Sequence, residues 1–384
     1  MNVDVVVIGA GVVGACCAYS CAEAGLTVAI VDRGAVASGT TGGGEGNILV
    51  SDKEPGPELD LALLSRGLWA RMAGSLGDSF ELDPKGGLVV AAQSATYEQL
   101  LRFAGEQREC GVIAEPVAAA DLPELEPRIS RDLAGGVLYP QDMQVQPMLA
   151  AAHIIEAARS TGRARLMTGC EVTGIDVDAS GAISGVRTAH GLISTPIVIN
   201  AAGTWGGQIA ALAGVKLPIL PRRGFILVTE PLPPLVRHKV YAADYVANVA
   251  SDNAGLETSA VIEGTHSGTI LIGASRERVG FDKNPDWTVL GRLARQAIDV
   301  FPFLAEVSLL RTYGGFRPYC PDHLPVIGPD PRVAGLMHAC GHEGAGVGLA
   351  AGTGHVIAQS IIGVPTSMDL APFAPARFEA RHVN

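Results

Sequence analysis

One segment near the amino terminus, residues 3–32, constrains the fold of this chain more than any other. It opens with a β-branched run at residues 3–8, which predicts a strand buried on both faces. The turn Gly9-Ala10-Gly11-Val12-Val13-Gly14 follows, and an Ala- and Cys-rich stretch then predicts a helix to Glu23. Residues 27–32 predict a second strand. Strand, glycine turn, helix and strand together make a β-α-β unit of the kind that binds dinucleotides.

The glycines and the acid of this unit have separate roles. Gly9 permits the tight turn, Gly11 lets backbone approach a pyrophosphate, and Gly14 lets the helix pack on the strand. The helix amino terminus then offers free N–H groups and a positive dipole to phosphates. Asp32 stands 18 positions after Gly14, where its carboxylate can accept both ribose hydroxyls and would disfavour a 2′-phosphate. The unit therefore predicts FAD or NAD and argues against NADP.

A second glycine-rich segment, residues 38–47, favours FAD over NAD. It carries five glycines together with Thr40 and Thr41, a composition suited to the flavin side of a pyrophosphate. Taken alone, the same composition is also typical of a flexible surface loop. Both interpretations stay open at this point.

Composition excludes several function classes. Hydrophobic residues make up 48% of the 384 residues and charged residues 17%, which is ample for two packed domains. The net charge is −11 and no basic run occurs, which argues against a nucleic-acid partner. The amino terminus lacks the positive start of a signal peptide, and no apolar stretch is long enough to span a bilayer. We expect a cytoplasmic protein that is not an integral membrane protein.

The seven cysteines predict neither a disulfide framework nor a metal site. Cys17 and Cys21 share a helical face at i,i+4 and could in principle bind a metal. Small buried side chains on a helix that packs against a sheet explain them better. We therefore predict no metal.

Patterns elsewhere place further elements. Three more segments predict helices: residues 57–76, 146–162 and 349–362. Extended, β-branched patterns cover five more: residues 80–92, 164–172, 197–203, 220–273 and 335–340. A glycine loop at residues 341–348 joins the last strand to the last helix, so strand, glycine loop and helix occur at both ends of the chain. This arrangement predicts a discontinuous dinucleotide domain interrupted by a second domain.

Seven motifs in fixed order give the chain a family resemblance. They are the Gly9–Asp32 unit, Thr40-Thr41-Gly-Gly-Gly44, Asn200-Ala-Ala-Gly-Thr-Trp205, Pro221-Arg-Arg-Gly224, Gly314-Gly-Phe-Arg-Pro318, Pro325-Val-Ile-Gly328 and Gly341-His-Glu-Gly-Ala-Gly-Val-Gly348. The chain resembles the D-amino-acid oxidase-like FAD superfamily, which includes glycine oxidase and the sarcosine oxidase β-subunits. Leu138-Tyr-Pro-Gln-Asp142, Gln146-Pro147 and Gly273-Ala-Ser-Arg-Glu277 are most similar to flavin subunits of opine oxidases, hydroxyproline dehydrogenases and hydrogen cyanide synthase.

The resemblance implies the fold class. It is an α/β FAD-binding domain, Rossmann-like and of the glutathione-reductase type, plus an α+β substrate domain built on a mainly antiparallel sheet. Residues 1–80, 146–215 and 321–384 are expected to form the FAD-binding domain. Residues 81–145 and 216–320 are expected to form the substrate domain.

The resemblance also implies FAD as the cofactor. In some relatives a cysteine shortly before a Pro-Asp pair holds the flavin covalently. Gly315 stands at that position here, and Cys320 is too close to Pro321-Asp322 to replace it, so FAD is expected to be bound without a covalent link. Residues expected to contact FAD are Gly9, Gly11, Val12, Val13, Gly14, Asp32, Arg33, Thr40, Thr41, Gly43, Gly44, Val172, Ala201, Gly203, Trp205, Gly315, Arg317, His342, Glu343, Gly344, Ala345, Gly346, Val347 and Gly348.

Arg317 is the residue that the resemblance assigns to the substrate. Its planar guanidinium presents paired donors that match the two oxygens of a carboxylate. From the residue alone, a structural arginine that bonds loop carbonyls explains it equally well.

Four further residues are candidates for the site, each with an alternative. Glu45 could receive a cationic substrate group, or be a solvated loop acid. Tyr245 could supply a pocket hydroxyl and Arg276 a pocket charge, or both could be ordinary sheet residues. His342, with its neighbour Glu343, could contact the flavin or simply order the glycine loop.

The implied reaction is oxidation of the C–N bond of an amino acid or N-substituted amino acid by hydride transfer to flavin N5. The imine formed would hydrolyse to a carbonyl product, and orientation with flavin electrostatics would require no general base. Electrons would pass to oxygen or to an electron-transfer partner subunit, and the chain could form homo- or hetero-oligomers. Two alternatives stay open: a pyridine-nucleotide dehydrogenase, and a flavin subunit of a heteromeric dehydrogenase with little activity alone.

Overall fold

The computed structural model describes residues 1–77, 79–249 and 253–378 of the chain. Residues 250–252 of the segment predicted as extended, and residues 379–384 of the predicted FAD-binding domain, therefore lie outside the described residues. Two large sheets organise the rest, and the candidate site lies where they meet.

A six-stranded sheet contains the predicted β-α-β unit. In spatial order its strands are β18 (Val326–Pro329), β19 (Leu336–Cys340), β12 (Ile197–Asn200), β1 (Val5–Ile8), β2 (Val28–Val31) and β8 (Ala164–Met167). Neighbours are parallel except for β18 and β19. All residues of β1 and β2 are buried, as their unbroken Val, Ala and Ile runs predict for inner parallel strands.

Four long helices pack around this sheet. They are α1 (Val12–Glu23), α2 (Pro57–Leu76), α5 (Pro147–Ser160) and α9 (Gly346–Ile361). Helix α1 packs on both α5 and α9, and α2 packs on α9. A Cβ added to Gly354 of α9 would lie 2.5 Å from the carbonyl carbon of Cys16. The contact is so close that α1 needs small side chains, which explains why Cys17 and Cys21 are buried there.

An eight-stranded sheet forms the second layer. In spatial order its strands are β17 (Leu309–Tyr319), β13 (Leu220–Thr229), β16 (Ile270–Arg276), β15 (Glu257–Gly264), β14 (Lys239–Ala242), β4 (Gly87–Ala91), β6 (Gly135–Tyr139) and β5 (Glu115–Ala118). Only the β14–β4 pair is parallel within this sheet. Helix α8 (Trp287–Val300) packs on β13, β15 and β16. The predicted fold class, with its mainly antiparallel second sheet, is confirmed.

Smaller elements connect these layers. They are a two-stranded ribbon of β3 (Asn47–Ile48) and β7 (Met143–Gln144), a three-stranded sheet of β9 (Val172–Val177), β10 (Ile183–Thr188) and β11 (Gly191–Ser194), and helices α3 (Ser94–Glu109), α4 (Leu122–Leu125), α6 (Gly206–Ala211) and α7 (Asp244–Val249). The two large sheets draw their strands from different parts of the chain. The six-stranded sheet takes its strands from residues 5–31, 164–200 and 326–340, and the eight-stranded sheet takes its strands from residues 87–139 and 220–319. The exact boundaries of the two predicted domains stay a prediction.

The elements differ from the sequence predictions in three places. The segment predicted as one strand at residues 164–172 is two strands, because a turn separates β8 from β9. Helix α7 interrupts the segment 220–273 predicted as extended, since its Val and Tyr residues favour strands locally but it packs on β15. Helix α9 starts at Gly346 inside the glycine loop, where helix propensity is weakest.

Within the described residues, no helix is both long and apolar enough to cross a bilayer. The same part of the chain contains no cluster of His, Cys, Asp and Glu side chains arranged to hold a metal ion.

Candidate active site

A cavity of about 490 Å³ lies between the two sheets. Its wall combines the turn after β1, the loop at residues 38–47, strand β17 and the turn before α9. Every residue that the sequence predicts for the site lines it, except Gly14, Arg276, Ala345 and Gly348. Segments from both ends of the chain therefore meet around one space.

Glycines in the turn after β1 and at the start of α9 have no room for a side chain. Gly9 has φ +117°, and a Cβ there would lie 2.4 Å from the carbonyl oxygen of Ala201. A Cβ on Gly14 would lie 1.9 Å from the carbonyl oxygen of Gly9, and one on Gly348 would lie 3.2 Å from that of Asn47. Gly14 and Gly348 thus let α1 and α9 pack closely outside the cavity wall.

The segment from residue 38 to 47 is an ordered part of the cavity wall. Thr40–Gly43 forms a 3-10 helix, and Thr41 accepts a hydrogen bond on Oγ1 from the amide of Val12 at 3.0 Å. The hydroxyl of Thr40 donates to the carbonyl oxygen of Phe316 at 2.9 Å. The interpretation as a flexible surface loop is wrong, because the loop ties the start of α1 to β17.

Asp32 holds the turn after β1 in place. Its Oδ2 accepts a hydrogen bond from the amide of Ala10 at 2.8 Å, and its Oδ1 accepts one from the amide of Gly34 at 2.7 Å. Each oxygen keeps a second lone pair, so the carboxylate can still accept ribose hydroxyls from the cavity. Beside it, the guanidinium of Arg33 lies 4.6 Å over the ring of Trp205.

These features fit FAD. Backbone lines the cavity at Gly9, Gly11 and Gly43, and a Cβ on Gly43 would lie 2.7 Å from the Cα of Gly315. The amino end of α1 faces the same space. The amide of Val12 is taken by Thr41, so the helix dipole and the other amides of the first turn are what α1 offers to phosphates. Glycine backbone, a helix terminus and an acid are the donor and acceptor set that a dinucleotide needs.

Arg317 lines the cavity from strand β17. Its Nη1 donates to the carbonyl oxygen of Ser275 at 2.7 Å. A Cβ on Gly224 would lie 2.1 Å from that nitrogen, so only glycine there leaves room for the guanidinium. Burial, followed by the charge of Arg276, lowers the pKa of Arg317. In the described part of the chain no carboxylate forms an ion pair with it.

Glu45 is buried, at 7% exposure, and lines the cavity. The solvated alternative is therefore wrong. Burial raises the pKa of its carboxyl to about 7, opposed by the charge of Lys239 and reinforced by that of Glu263. Lys239 is ion-paired with Glu263. Oε1 of Glu45 is buried without a hydrogen-bond partner among the described residues, so it can accept a bond from a bound molecule.

The loop before α9 carries two buried polar side chains. His342 Nε2 lies 3.0 Å from Oγ1 of Thr353, and burial lowers the pKa of its imidazole to about 3, so the ring is neutral. Glu343 forms ion pairs with Arg222 at 2.5 Å and with His323 at 3.1 Å. Burial opposes ionisation of Glu343, but hydrogen bonds from His323 and Arg222 and the nearby positive charges lower its pKa. Both side chains line the cavity and also hold the loop.

A second cavity of about 430 Å³ adjoins the first. Five residues line both: Tyr245, Arg317, His342, Glu343 and Gly344. Ala345 lines only the second. Tyr245 lies on α7, so the interpretation of it as a sheet residue is wrong, whereas Arg276 ends β16 as the sheet alternative expected.

Sequence reasoning missed several residues of this region. Lys283 and Phe316 line the first cavity, and Lys53 and Glu58 line the second. No local pattern marks Lys283, Lys53 or Glu58, because long-range packing brings each of them to its cavity wall. Phe316 alone carried a signal, since it lies inside the Gly314–Pro318 motif.

Comparisons with known proteins agree with this geometry. Residues 4–360 match the model of the DAO family, described as FAD dependent oxidoreductase. The chain is 31% identical to the hydrogen cyanide synthase subunit HcnC of Pseudomonas aeruginosa, over 98% of this chain and 96% of that one. It is 29% identical to human mitochondrial sarcosine dehydrogenase, over 98% of this chain and 41% of that one. The crystal structure of glycine oxidase from Geobacillus kaustophilus superimposes with a TM-score of 0.89, at 28% identity and over 100% of both chains.

The family match covers most of the chain and includes every motif that the sequence singled out. It confirms the predicted cofactor and enzyme class, and it rules out the pyridine-nucleotide dehydrogenase alternative. The glycine turn after β1, the ordered loop at residues 38–47 and the arginine on β17 thus share one explanation: the chain belongs to the DAO family of FAD-dependent oxidoreductases.

Proposed function

We propose that this enzyme oxidises the C–N bond of an amino acid or N-substituted amino acid to an imine, which water hydrolyses to a carbonyl compound. The observation that carries the proposal is Arg317, whose guanidinium lines both cavities and forms no ion pair with the described residues. A half-buried guanidinium of this kind, held at one nitrogen and facing a cavity, is well placed to bind an anionic group of the substrate. Glycine oxidase and sarcosine dehydrogenase, both similar to this chain, act on substrates with such a carboxylate.

Arg317 would bind the substrate carboxylate in a two-pronged contact. Nη1 is already held by Ser275, so the remaining donors are presented in one orientation. Such a contact fixes two atoms of the substrate and thereby sets the direction of its Cα–H bond. FAD, when bound, supplies the acceptor of the hydride that leaves this carbon.

Glu45 would receive the positive end of the substrate. The amine must lose its ammonium proton before its carbon can release hydride. A carboxyl with a pKa of about 7 can take that proton on its unpartnered Oε1, so this proposal adds a base to a reaction for which the sequence predicted none. Tyr245 would contribute its ring and hydroxyl to the wall. The neutral ring of His342 would add a dipole without adding charge.

FAD would be bound without a covalent link. Of the seven cysteines, Cys170 lines the first cavity, and its amide donates to the carbonyl oxygen of Asp32 at 2.8 Å, which places it at the ribose end. Cys320 is fully buried and lines neither cavity. Heat or acid denaturation followed by filtration should therefore release all of the yellow colour from the protein.

The test is a substrate screen on purified yellow holoenzyme. Under anaerobic conditions, glycine, sarcosine, D- and L-amino acids, prolines and N-carboxyalkyl amino acids are each mixed with the enzyme, and loss of absorbance near 450 nm is followed. We expect bleaching with at least one of these carboxylates, together with a carbonyl product. Bleaching only with amines that lack a carboxylate would overturn the proposal.

Similarity to a protein named as a synthase subunit supports a second candidate, a flavin subunit with little activity alone. The electron acceptor, oxygen or a partner subunit, and the cytoplasmic location stay predictions. Turnover of the isolated chain with an artificial dye, measured with and without proteins that co-purify from its native host, separates the candidates. Full turnover of the isolated chain would contradict the subunit candidate.

A further inference from the structure

Two arginines line the second cavity without a carboxylate partner among the described residues. Arg276 and Arg317 both line it, and Arg276 is only 3% exposed. The guanidinium carbon of Arg276 lies 4.9 Å from the centre of the Tyr245 ring. Across residues 1–77, 79–249 and 253–378, neither guanidinium is ion-paired with an acid. The charge of Arg276 lowers the pKa of Arg317, so the two guanidinium groups repel each other, and an anion bound between them would relieve that repulsion.

The acids of this cavity are already engaged elsewhere. Three of them pair with other cations: Asp52 with Lys53 at 2.6 Å, Glu343 with Arg222 at 2.5 Å and Asp322 with Arg377 at 2.7 Å. Burial raises the pKa of Glu58 to about 7, so at neutral pH this carboxyl is only partly ionised. Glu54 is exposed to solvent. Arg276 is near enough to Glu343 for its charge to lower the pKa of that carboxyl, but Glu343 is already paired with Arg222 and His323. Among the described residues no acid of this cavity is therefore left to pair with Arg276 alone.

We propose that Arg276 binds a second carboxylate of the substrate, so that the substrate class is a dicarboxylic amino acid or a secondary amine with two carboxylates. One carboxylate would lie on Arg317 and the other on Arg276. Tyr245 lines both cavities and packs against Arg276, so a molecule held at both arginines also contacts Tyr245. The planar fork of each guanidinium suits a carboxylate. This inference rests on the proposed function, because it takes Arg317 as the first anchor.

The experiment compares unreactive acids on the wild-type holoenzyme by calorimetric titration. Succinate, glutarate and adipate are each paired with the monocarboxylate of the same chain length: butyrate, valerate and hexanoate. One charge-assisted contact is expected to make at least one diacid bind about tenfold or more tighter than its monoacid. Equal affinity within all three pairs would overturn the proposal, and this result needs no variant.

Variants then assign the effect to its residue. R276Q is expected to bring the ratio of diacid affinity to monoacid affinity close to one. R317M is expected to weaken the binding of both ligands. R131Q, which removes an exposed arginine that lines neither cavity, keeps the wild-type ratio. A wild-type ratio in R276Q would overturn the assignment to Arg276.

The outcomes also separate this inference from the proposed function. If monoacids bind in a manner that depends on Arg317 but diacids gain nothing, only the second-carboxylate proposal fails. If no carboxylate of either kind binds the wild-type enzyme, the role of Arg317 fails and this proposal fails with it.

Discussion

The Nη1 of Arg317 donates to the carbonyl oxygen of Ser275 at 2.7 Å, and Ser275 is the chain neighbour of Arg276. One backbone carbonyl thus fixes the first arginine, and the next residue carries the second. Strand β13 lies between their strands, β17 and β16. The absence of a side chain on Gly224 of β13 is what lets the guanidinium of Arg317 reach across.

Replacing Arg317 by Met should remove the carboxylate anchor while leaving FAD bound. Loss of a charge-assisted, two-pronged contact is expected to lower kcat/KM for carboxylate substrates on the order of 100-fold, mostly through a higher KM. Steady-state kinetics and the absorbance near 450 nm measure the two effects. R131Q serves as the matched control. Unchanged turnover of carboxylates in R317M would show that this arginine is structural.

Glu45 should control the acid limb of the pH profile. Its pKa is raised to about 7, so below that pH the carboxyl is protonated and cannot take the ammonium proton. For wild type, kcat/KM is expected to rise through pH 7, and this inflection should disappear in E45Q. E109Q removes an exposed acid and should keep the wild-type profile. An inflection that persists in E45Q belongs to another group.

Gly14→Ala should destabilise the protein, because the added Cβ would lie 1.9 Å from the carbonyl oxygen of Gly9. Such overpacking is expected to cost about 1–3 kcal/mol of unfolding free energy and to lower the FAD content. Gly67→Ala is the control, since Gly67 lies exposed within α2 with open space around it. It should stabilise the helix by about 0.5–1 kcal/mol. Thermal unfolding of both apo-proteins checks these predictions: relative to wild type, Gly14→Ala should lower the melting temperature and Gly67→Ala should raise it.

His342 should make stability fall as the pH falls. Its folded pKa of about 3 lies below the usual 6.5, so its contribution is complete above pH 6.5 and is lost as the pH drops towards 3. Between pH 7 and 5 the loss is about 2 kcal/mol of unfolding free energy. Urea titrations should show a weaker pH dependence in H342N, and the wild-type dependence in the control H153N, which changes an exposed histidine. If the unfolding free energy of wild type and of H342N depended on pH in the same way, His342 would not be a buried neutral ring.

Local sequence patterns predicted the elements whose structure depends on residues that are close together in the chain. Strands β1 and β2, the glycine turn and helix α1 are contiguous in the chain. A Cβ on Gly14 would meet Gly9 of the same unit, whereas one on Gly9 would meet Ala201 and one on Gly11 would meet Thr41. Helix α7 escaped prediction because its residues favour strands and only packing on β15 holds them helical. Tyr245 was therefore placed on the wrong kind of element, although it was named as a site residue.

Local sequence patterns could not predict the charge interactions and shifted pKa values of the site. The sequence shows that Glu45 is an acid in a glycine loop, but its raised pKa depends on burial and on the charges of Lys239 and Glu263, which lie about two hundred residues further along the chain. In the same way, nothing near Arg276 reveals that the acids of its cavity are already paired. Such properties arise only when distant segments meet.

The contact between Gly354 of α9 and Cys16 of α1 has a consequence for biosynthesis. During synthesis, the first helix leaves the ribosome more than three hundred residues before the helix that covers it. Until α9 is made, the buried face of α1 lacks its partner, and the cavity lacks the wall formed by residues 342–347. The nascent chain can therefore form the β-α-β unit early, but the complete FAD site exists only after the last helix has been translated, so cofactor loading follows synthesis.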